Sequence, residues 1–242
     1  MTSNGLSICH LQCNCGQDTL SLVQLGAARA VGVDISDAAI AEARQLSLDA
    51  GIAASFARAD VLSWLEDYEE EKFDVIFVSY GWLAWLGDLS RWARGVASVL
   101  KPGGRLVLIE FHPLAWSLGE GGTLTGDAYF EDAPGKKCDE PGGVSDYVRS
   151  SGDGLIPDGM EWAEGEVAFT NPQPSIEFQH TFADLISALA DASMFVSSMR
   201  EYPYSNGCQL VPGMRRMAGR RFTMPDGIAS IPLMLSVVAV HR

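Results

Sequence analysis

A chain of 242 residues, 47% hydrophobic and 20% charged, has the composition of a soluble globular protein and the length for one large core. Its net charge of −14 argues against nucleic acid, which needs a basic face, and suits a small-molecule ligand better. No apolar run approaches the roughly 20 residues of a membrane span, and the opening MTSNGLS lacks a basic region and a signal core, so the expected location is cytoplasmic.

Strand and helix patterns alternate from the start. Leu6 to Leu11 reads as a buried strand, followed by the turn QCNCG and a short helix from Asp18 to Leu25. Ala28 to Asp34 is the second strand. Ser36 or Asp37 caps a helix that runs to Ala50, where Gly51 stops it. Ala54 to Asp60 is the third strand, with a helix over VLSWLEDYEEE behind it, and Lys72 to Tyr80 is the fourth. A helix capped by Asp88 runs to Leu100 and ends at Lys101-Pro102-Gly103-Gly104; Arg105 to Phe111 is the fifth strand. Continuous apolar strands separated by amphipathic helices predict an α/β fold, a parallel sheet covered on both faces.

The pattern breaks after His112. Residues 113–179 are rich in Gly, Pro and Asp, with weak strand signals at AYF and SDYV, and read as an insertion within a single domain of residues 1–242. A helix returns over Thr181 to Ser193, and two late strands follow, FVSSMREYPY and IPLMLSVVAV.

Ligands of open α/β sheets bind beyond the carboxyl ends of the strands. Acidic or polar residues end three successive strands here. A carboxylate at Asp34 can accept both hydroxyls of a ribose, one at Asp60 can accept from an adenine amino group, and Ser79 and Tyr80 close the fourth strand. The first turn has Gly16 alone where a glycine-rich loop is usual, with Gln12, Cys13 and Asn14 in the other places; Asn tolerates positive φ well enough to keep the turn feasible. Three of the five cysteines (Cys9, Cys13, Cys15) crowd this region, but their spacing, even with His10, lacks the CxxC pairs of zinc sites, so no metal is expected.

The stretches HLQCNCGQDTLSL, AVGVDIS, RADVLSW, FDVIFVSYGWLAWL, LKPGGRLVLIEFHPLAW and IPLMLSVVAV resemble class I S-adenosylmethionine-dependent methyltransferases, in a bacterial small-molecule branch with an HLQC form of the first motif. The resemblance covers nearly the whole chain, most strongly residues 8–113. It implies a Rossmann-like, mostly parallel sheet of seven strands in the order 3-2-1-4-5-7-6, strand seven antiparallel, with helices on both faces and residues 113–179 as a substrate cap. It implies S-adenosylmethionine as cofactor. Carried over by position, His10, Gln12, Cys13, Asn14 and Gly16 hold its methionine part, Asp34 and Ile35 its ribose, Asp60 and Val61 its adenine, and Ser79 and Tyr80 flank the sulfonium.

Methyl transfer from a sulfonium needs alignment and exclusion of water, and needs a base only when the nucleophile must lose a proton. His112, His180 and Tyr80 are the candidates for catalysis. Tyr80, Trp82, Trp85, Tyr129 and Tyr147 are candidates for an aromatic pocket, with the two tryptophans equally suited to a helix core face. The acidic residues of the insertion, Asp127 and Glu131 among them, suit an amine-bearing substrate. The expected acceptor is a small molecule, with self-association the expected partner interaction. Two other functions fit the same sheet: a nucleotide-dependent oxidoreductase, and a cofactor-binding protein without catalysis. Nine residues precede His10, whereas relatives of this fold carry helices ahead of the first strand; the cover of the site is then expected from the insertion, a second subunit or residues upstream.

Overall fold

The computed structural model describes residues 3–119, 122–130, 136–138, 175–207 and 209–242. Strands β1 (Ser7–Leu11), β2 (Arg29–Asp34), β3 (Ser55–Arg58), β4 (Phe73–Val78) and β5 (Leu100–Phe111) alternate with helices α1 (Gln17–Gln24), α2 (Asp37–Ala50), α3 (Val61–Asp67) and α4 (Leu89–Val99). The expected caps form: the Ser36 side chain accepts from Ala39 N–H, Asp88 accepts from Arg91 N–H, and Gly51 ends α2 in the left-handed conformation. All five residues of β1 are buried, as befits a central strand, the polar Ser7 and His10 included.

Helix α5 (Phe182–Asp191) opens with a capping box between Thr181 and Asp184, and β8 (Met194–Tyr202) and β12 (Met234–His241) complete the sheet. The order is β3-β2-β1-β4-β5-β12-β8, with β12 antiparallel to both of its neighbours, which is the expected 3-2-1-4-5-7-6 arrangement. On one face α3, α4 and α5 bury Phe73, Leu65, Leu100 and the stacked pair Trp82 and Trp92; on the other, α1 and α2 cover Cys13, Leu20, Ile40, Ala43 and Phe56.

Four readings change. Helix α3 stops at Asp67 rather than continuing through the acidic run Glu69 to Glu71. The Lys101–Gly104 segment does not separate helix from strand. Leu100 already pairs with Phe73, and the ladder resumes at Arg105 opposite Val75, so these four residues arch out of β5, as Pro102 without an N–H and Gly103 at φ 77° favour. Ala128 to Phe130 do not form a strand, while SDYV lies outside the described residues; among the described residues the insertion contributes the short antiparallel pair β6 (Lys136–Cys138) and β7 (Ser175–Glu177). Finally, β9 (Ser205–Asn206), β10 (Arg215–Met217) and β11 (Arg221–Thr223) form a small sheet that the sequence pattern concealed, packed through Phe222 and Met224 against Ala115 and Leu118. Among the described residues no helix is long and apolar enough to cross a membrane.

Candidate functional site

The turn after β1 uses three left-handed residues: Gln12 at φ 52°, Asn14 at φ 49° and Gly16 at φ 76°. An L side chain in that region costs about 1–2 kcal/mol, and local hydrogen bonds offset it. Asn14 Oδ1 accepts from Cys15 N–H, Asn14 N–H donates to Asp34, and Gln12 Nε2 donates to the Trp82 carbonyl. Gly16 cannot be replaced in this way. A Cβ there would lie 2.7 Å from the Phe56 ring and 2.8 Å from Ala43, so the position needs glycine for space as well as for φ. Cys13 turns into the same cluster, and burial, reinforced by the Asp34 charge, pushes its thiol up to about 12. It is a small packing residue of the turn.

Asp34 is set for a diol. Its Oδ2 accepts from Asn14 N–H at 2.8 Å and its Oδ1 from Ser36 N–H at 2.9 Å, which fixes the carboxylate plane and leaves each oxygen a further lone pair. Ile35 beside it is 60% exposed, an apolar surface at the strand end. Asp60 caps α3: its Oδ1 accepts from both the N–H and the hydroxyl of Ser63, leaving Oδ2 uncommitted among the described residues, while Val61 is buried under it.

His10 is buried, and burial lowers its pKa to about 3, so the ring is neutral. Its Nδ1 lies 2.9 Å from Thr19 Oγ1 and its Nε2 lies 3.0 Å from Ser79 Oγ. His10 therefore bridges the two hydroxyls, donating through one ring nitrogen and accepting through the other, and burial raises the pKa of the nearby Asp18 carboxyl, with Ser79 opposing. Three elements, β1, the start of α1 and the end of β4, are thereby tied around one point. Tyr80 follows, 39% exposed, its hydroxyl accepting from Asn206 Nδ2 at 3.0 Å. Burial, with the Asp18 charge, raises its pKa, so it is a neutral phenol at physiological pH.

Beyond Tyr80 a small cleft open to solvent runs between the loop after β4 and the end of β5. Phe111, Trp116, Phe178 and His180 line it, with Glu110 at its base. His180 donates from Nε2 to the Leu86 carbonyl at 2.6 Å, which leaves Nδ1 as an acceptor. His112 is more committed. Its Nδ1 accepts from Leu114 N–H, and its Nε2 lies 3.2 Å from Glu201; burial lowers its pKa, with Glu201 opposing. The Tyr129 hydroxyl accepts from Phe182 N–H at the start of α5. Trp82 is core, whereas Trp85 on the adjacent short 3₁₀ turn is 39% exposed; Tyr147 lies outside the described residues.

The fold thus brings His10, Gln12, Asn14, Asp34, Asp60, Ser79 and Tyr80 to one edge and His180 to the adjoining cleft. Sequence reasoning missed Asp18, Thr19 and Glu110. Only Glu110 carried a signal, as a carboxylate inside the otherwise apolar run LVLIEF.

Residues 8–104 match a family model described as a methyltransferase domain. The malonyl-[acyl-carrier protein] O-methyltransferase of Brevibacillus brevis is 30% identical over 106 residues; the alignment takes in 43% of this chain and 38% of that protein, so the chain spans well under half of the relative it matches. A solved S-adenosylmethionine-dependent methyltransferase from Mesorhizobium loti superposes with a TM-score of 0.59 at 18% identity, over 99% of this chain and 93% of that one. Magnesium protoporphyrin IX methyltransferase from Synechocystis PCC 6803, with bound SAH, gives a TM-score of 0.53 at 18% identity, over 99% and 75%. The fold is the Rossmann-like one of these methyltransferases.

Proposed function

We propose that this chain is an enzyme that binds S-adenosylmethionine along the carboxyl ends of β1 to β4 and passes its methyl group to an oxygen, nitrogen or carbon atom of a small molecule in the adjoining cleft. The observation that carries the reading is Asp34: a carboxylate oriented by two backbone N–H groups, with spare lone pairs, at the strand end where a ribose diol would sit. The other residues fit the same cofactor. Ile35 offers an apolar face and Asp60 a free oxygen for the adenine. Gln12 Oε1 is buried without a partner among the described residues and would meet the methionine part, and Ser79 and Tyr80 would lie at the sulfonium.

When bound, S-adenosylmethionine supplies a methyl group already activated by its sulfonium, so the protein has to align the acceptor and exclude water. Phe111, Trp116 and Phe178 form apolar walls suited to a planar acceptor. For a hydroxyl acceptor, His180 Nδ1 would take the proton while the Leu86 carbonyl holds the opposite N–H and fixes the tautomer. His112, with both ring nitrogens engaged, would orient the wall that Pro113 begins; Tyr80 would stay protonated as a hydrogen-bonding phenol. The Brevibacillus relative is named for methylating a malonyl group carried on a protein, but the match takes in only 38% of it, so the acceptor assignment rests on this chain's own cleft. The test is calorimetric titration with S-adenosylmethionine and SAH, followed by a methyl-acceptor screen with the D34A variant as control. Micromolar binding that D34A weakens, with methyl transfer to a screened acceptor, is expected; absence of binding at millimolar concentration overturns the reading.

A further inference from the structure

Glu110 is the one carboxylate that the site described so far leaves without a task. It is 2% exposed at the end of β5, and its partners among the described residues are backbone N–H groups: Gly81 at 2.7 Å and Phe111 at 2.6 Å on Oε1, Trp82 at 3.0 Å and Leu83 at 3.1 Å on Oε2. The titratable groups around it are His180 across the cleft, Tyr80 at the start of the loop, and the His112–Glu201 pair, with His112 two residues further along the chain; Leu235 of β12 stands directly opposite. No cation among the described residues pairs with it. A buried carboxylate held by peptide dipoles alone is costly, and it costs stability here: the group binds its proton more tightly folded than unfolded, so its contribution falls as pH rises from 4.5 to about 7.

Three of the four amides it holds, those of Gly81 to Leu83, begin the segment that builds the cleft. The loop leads into the 3₁₀ turn Leu83–Trp85, the Ala84 carbonyl receives Phe178 N–H at 2.8 Å, and the Leu86 carbonyl receives His180. One carboxylate therefore sets the loop, and the loop sets both the aromatic wall and the imidazole. A neutral carboxylic acid cannot do the same, because its hydroxyl is a donor facing donors and a single carbonyl oxygen cannot serve four N–H groups.

We propose that Glu110 is a positioning residue whose ionised carboxylate anchors the Gly81–Leu83 loop, and through it Phe178 and His180, and whose protonation releases that loop. Burial raises its pKa to about 7, the backbone bonds opposing, which puts the release in the neutral range. The effect on acceptor binding rests on the methyltransferase reading above; the anchoring does not.

The experiment is hydrogen exchange of the Gly81, Trp82 and Leu83 amides in the full chain from pH 5.5 to 8.5, corrected for the chemical exchange rate, in the native protein and in Glu110→Gln. In the native protein, protection should rise about tenfold through a midpoint near 7. The variant should show low protection with no such rise, an acceptor KM raised about tenfold, and cofactor affinity within about twofold of native. A flat native curve overturns the proposal, and so does a variant that keeps the native pH dependence. Should Glu110→Gln fail to fold, the native curve alone decides. A chain that binds no S-adenosylmethionine yet shows the titration would sink the proposed function and leave the anchor standing.

Discussion

The two halves of the sheet's carboxyl edge are assembled over different distances along the chain. On the half that ends β1 to β3, the two strand-end carboxylates are held by near contacts, Asp34 reaching Asn14 across 20 residues and Ser36 across 2, and Asp60 reaching Ser63 across 3, while Gln12 and His10 reach across 70 and 69 residues to join this half to the other. On the half that follows β4 and β5, Glu110 reaches Gly81 across 29 residues, His180 reaches Leu86 across 94, and Asn206 reaches Tyr80 across 126. Turns and caps thus organise the first half at once, while the second exists only after the sheet has closed through β12 and β8. A scaffold of this kind can keep one ligand site fixed and vary the other through the long connections.

The sharpest way to break that division is at His180. If it takes a proton from the acceptor, His180→Ala should lower turnover by about 10²–10⁴-fold and remove the acid limb of the pH–rate profile, with cofactor affinity unchanged by calorimetry. His112→Ala should instead lower the melting temperature more than the rate, because its ring nitrogens bond to Leu114 and Glu201. Full turnover in both variants would mean that alignment alone drives transfer, and would turn the acceptor assignment towards nitrogen or carbon.

His10 joins the two halves, through α1 on one side and Ser79 on the other, and its effect should show in stability. Its folded pKa, about 3, lies below its ordinary 6.5, so the unfolded chain binds the proton first. Stability supplied by the neutral ring is intact above pH 6.5 and is lost at about 1.4 kcal/mol per pH unit as pH falls towards 3. Urea denaturation from pH 7 to 4 should show the stability of the native chain falling by this slope relative to His10→Asn, the opposite contribution of Glu110 being common to both.

Asp34 probes the local half alone. Asp34→Ala removes charge-assisted hydrogen bonds worth roughly 1.5–3 kcal/mol each, so affinity for S-adenosylmethionine should fall at least tenfold in a chain that still folds. Asparagine preserves an acceptor, and from the sequence it would be the milder change. The structure alters that expectation. Both oxygens already accept a backbone N–H, so one end of the amide would set an NH₂ against a donor, and Asp34→Asn should come close to Asp34→Ala. A clearly milder Asn variant would show that the carboxylate's backbone contacts do not matter to binding.

The sequence by itself determined the sheet, its strand order through resemblance, the helix caps at Ser36 and Asp88, and the carboxylates at the ends of β2 and β3, because each is written in residues a few positions apart. That Gln12 and Asn14 can stand where glycines are usual was legible as feasibility; the backbone then showed both at positive φ. The tertiary structure decided the rest. It turned Cys13 into the core, engaged both nitrogens of His112, left Nδ1 of His180 open, linked Thr19 to Ser79 through His10, and gave Glu110 four backbone donors. A side chain's type fixes which hydrogen bonds it can make, but which partners it meets, and whether it titrates, depends on burial and on groups dozens of residues away. Those become neighbours only when the sheet closes.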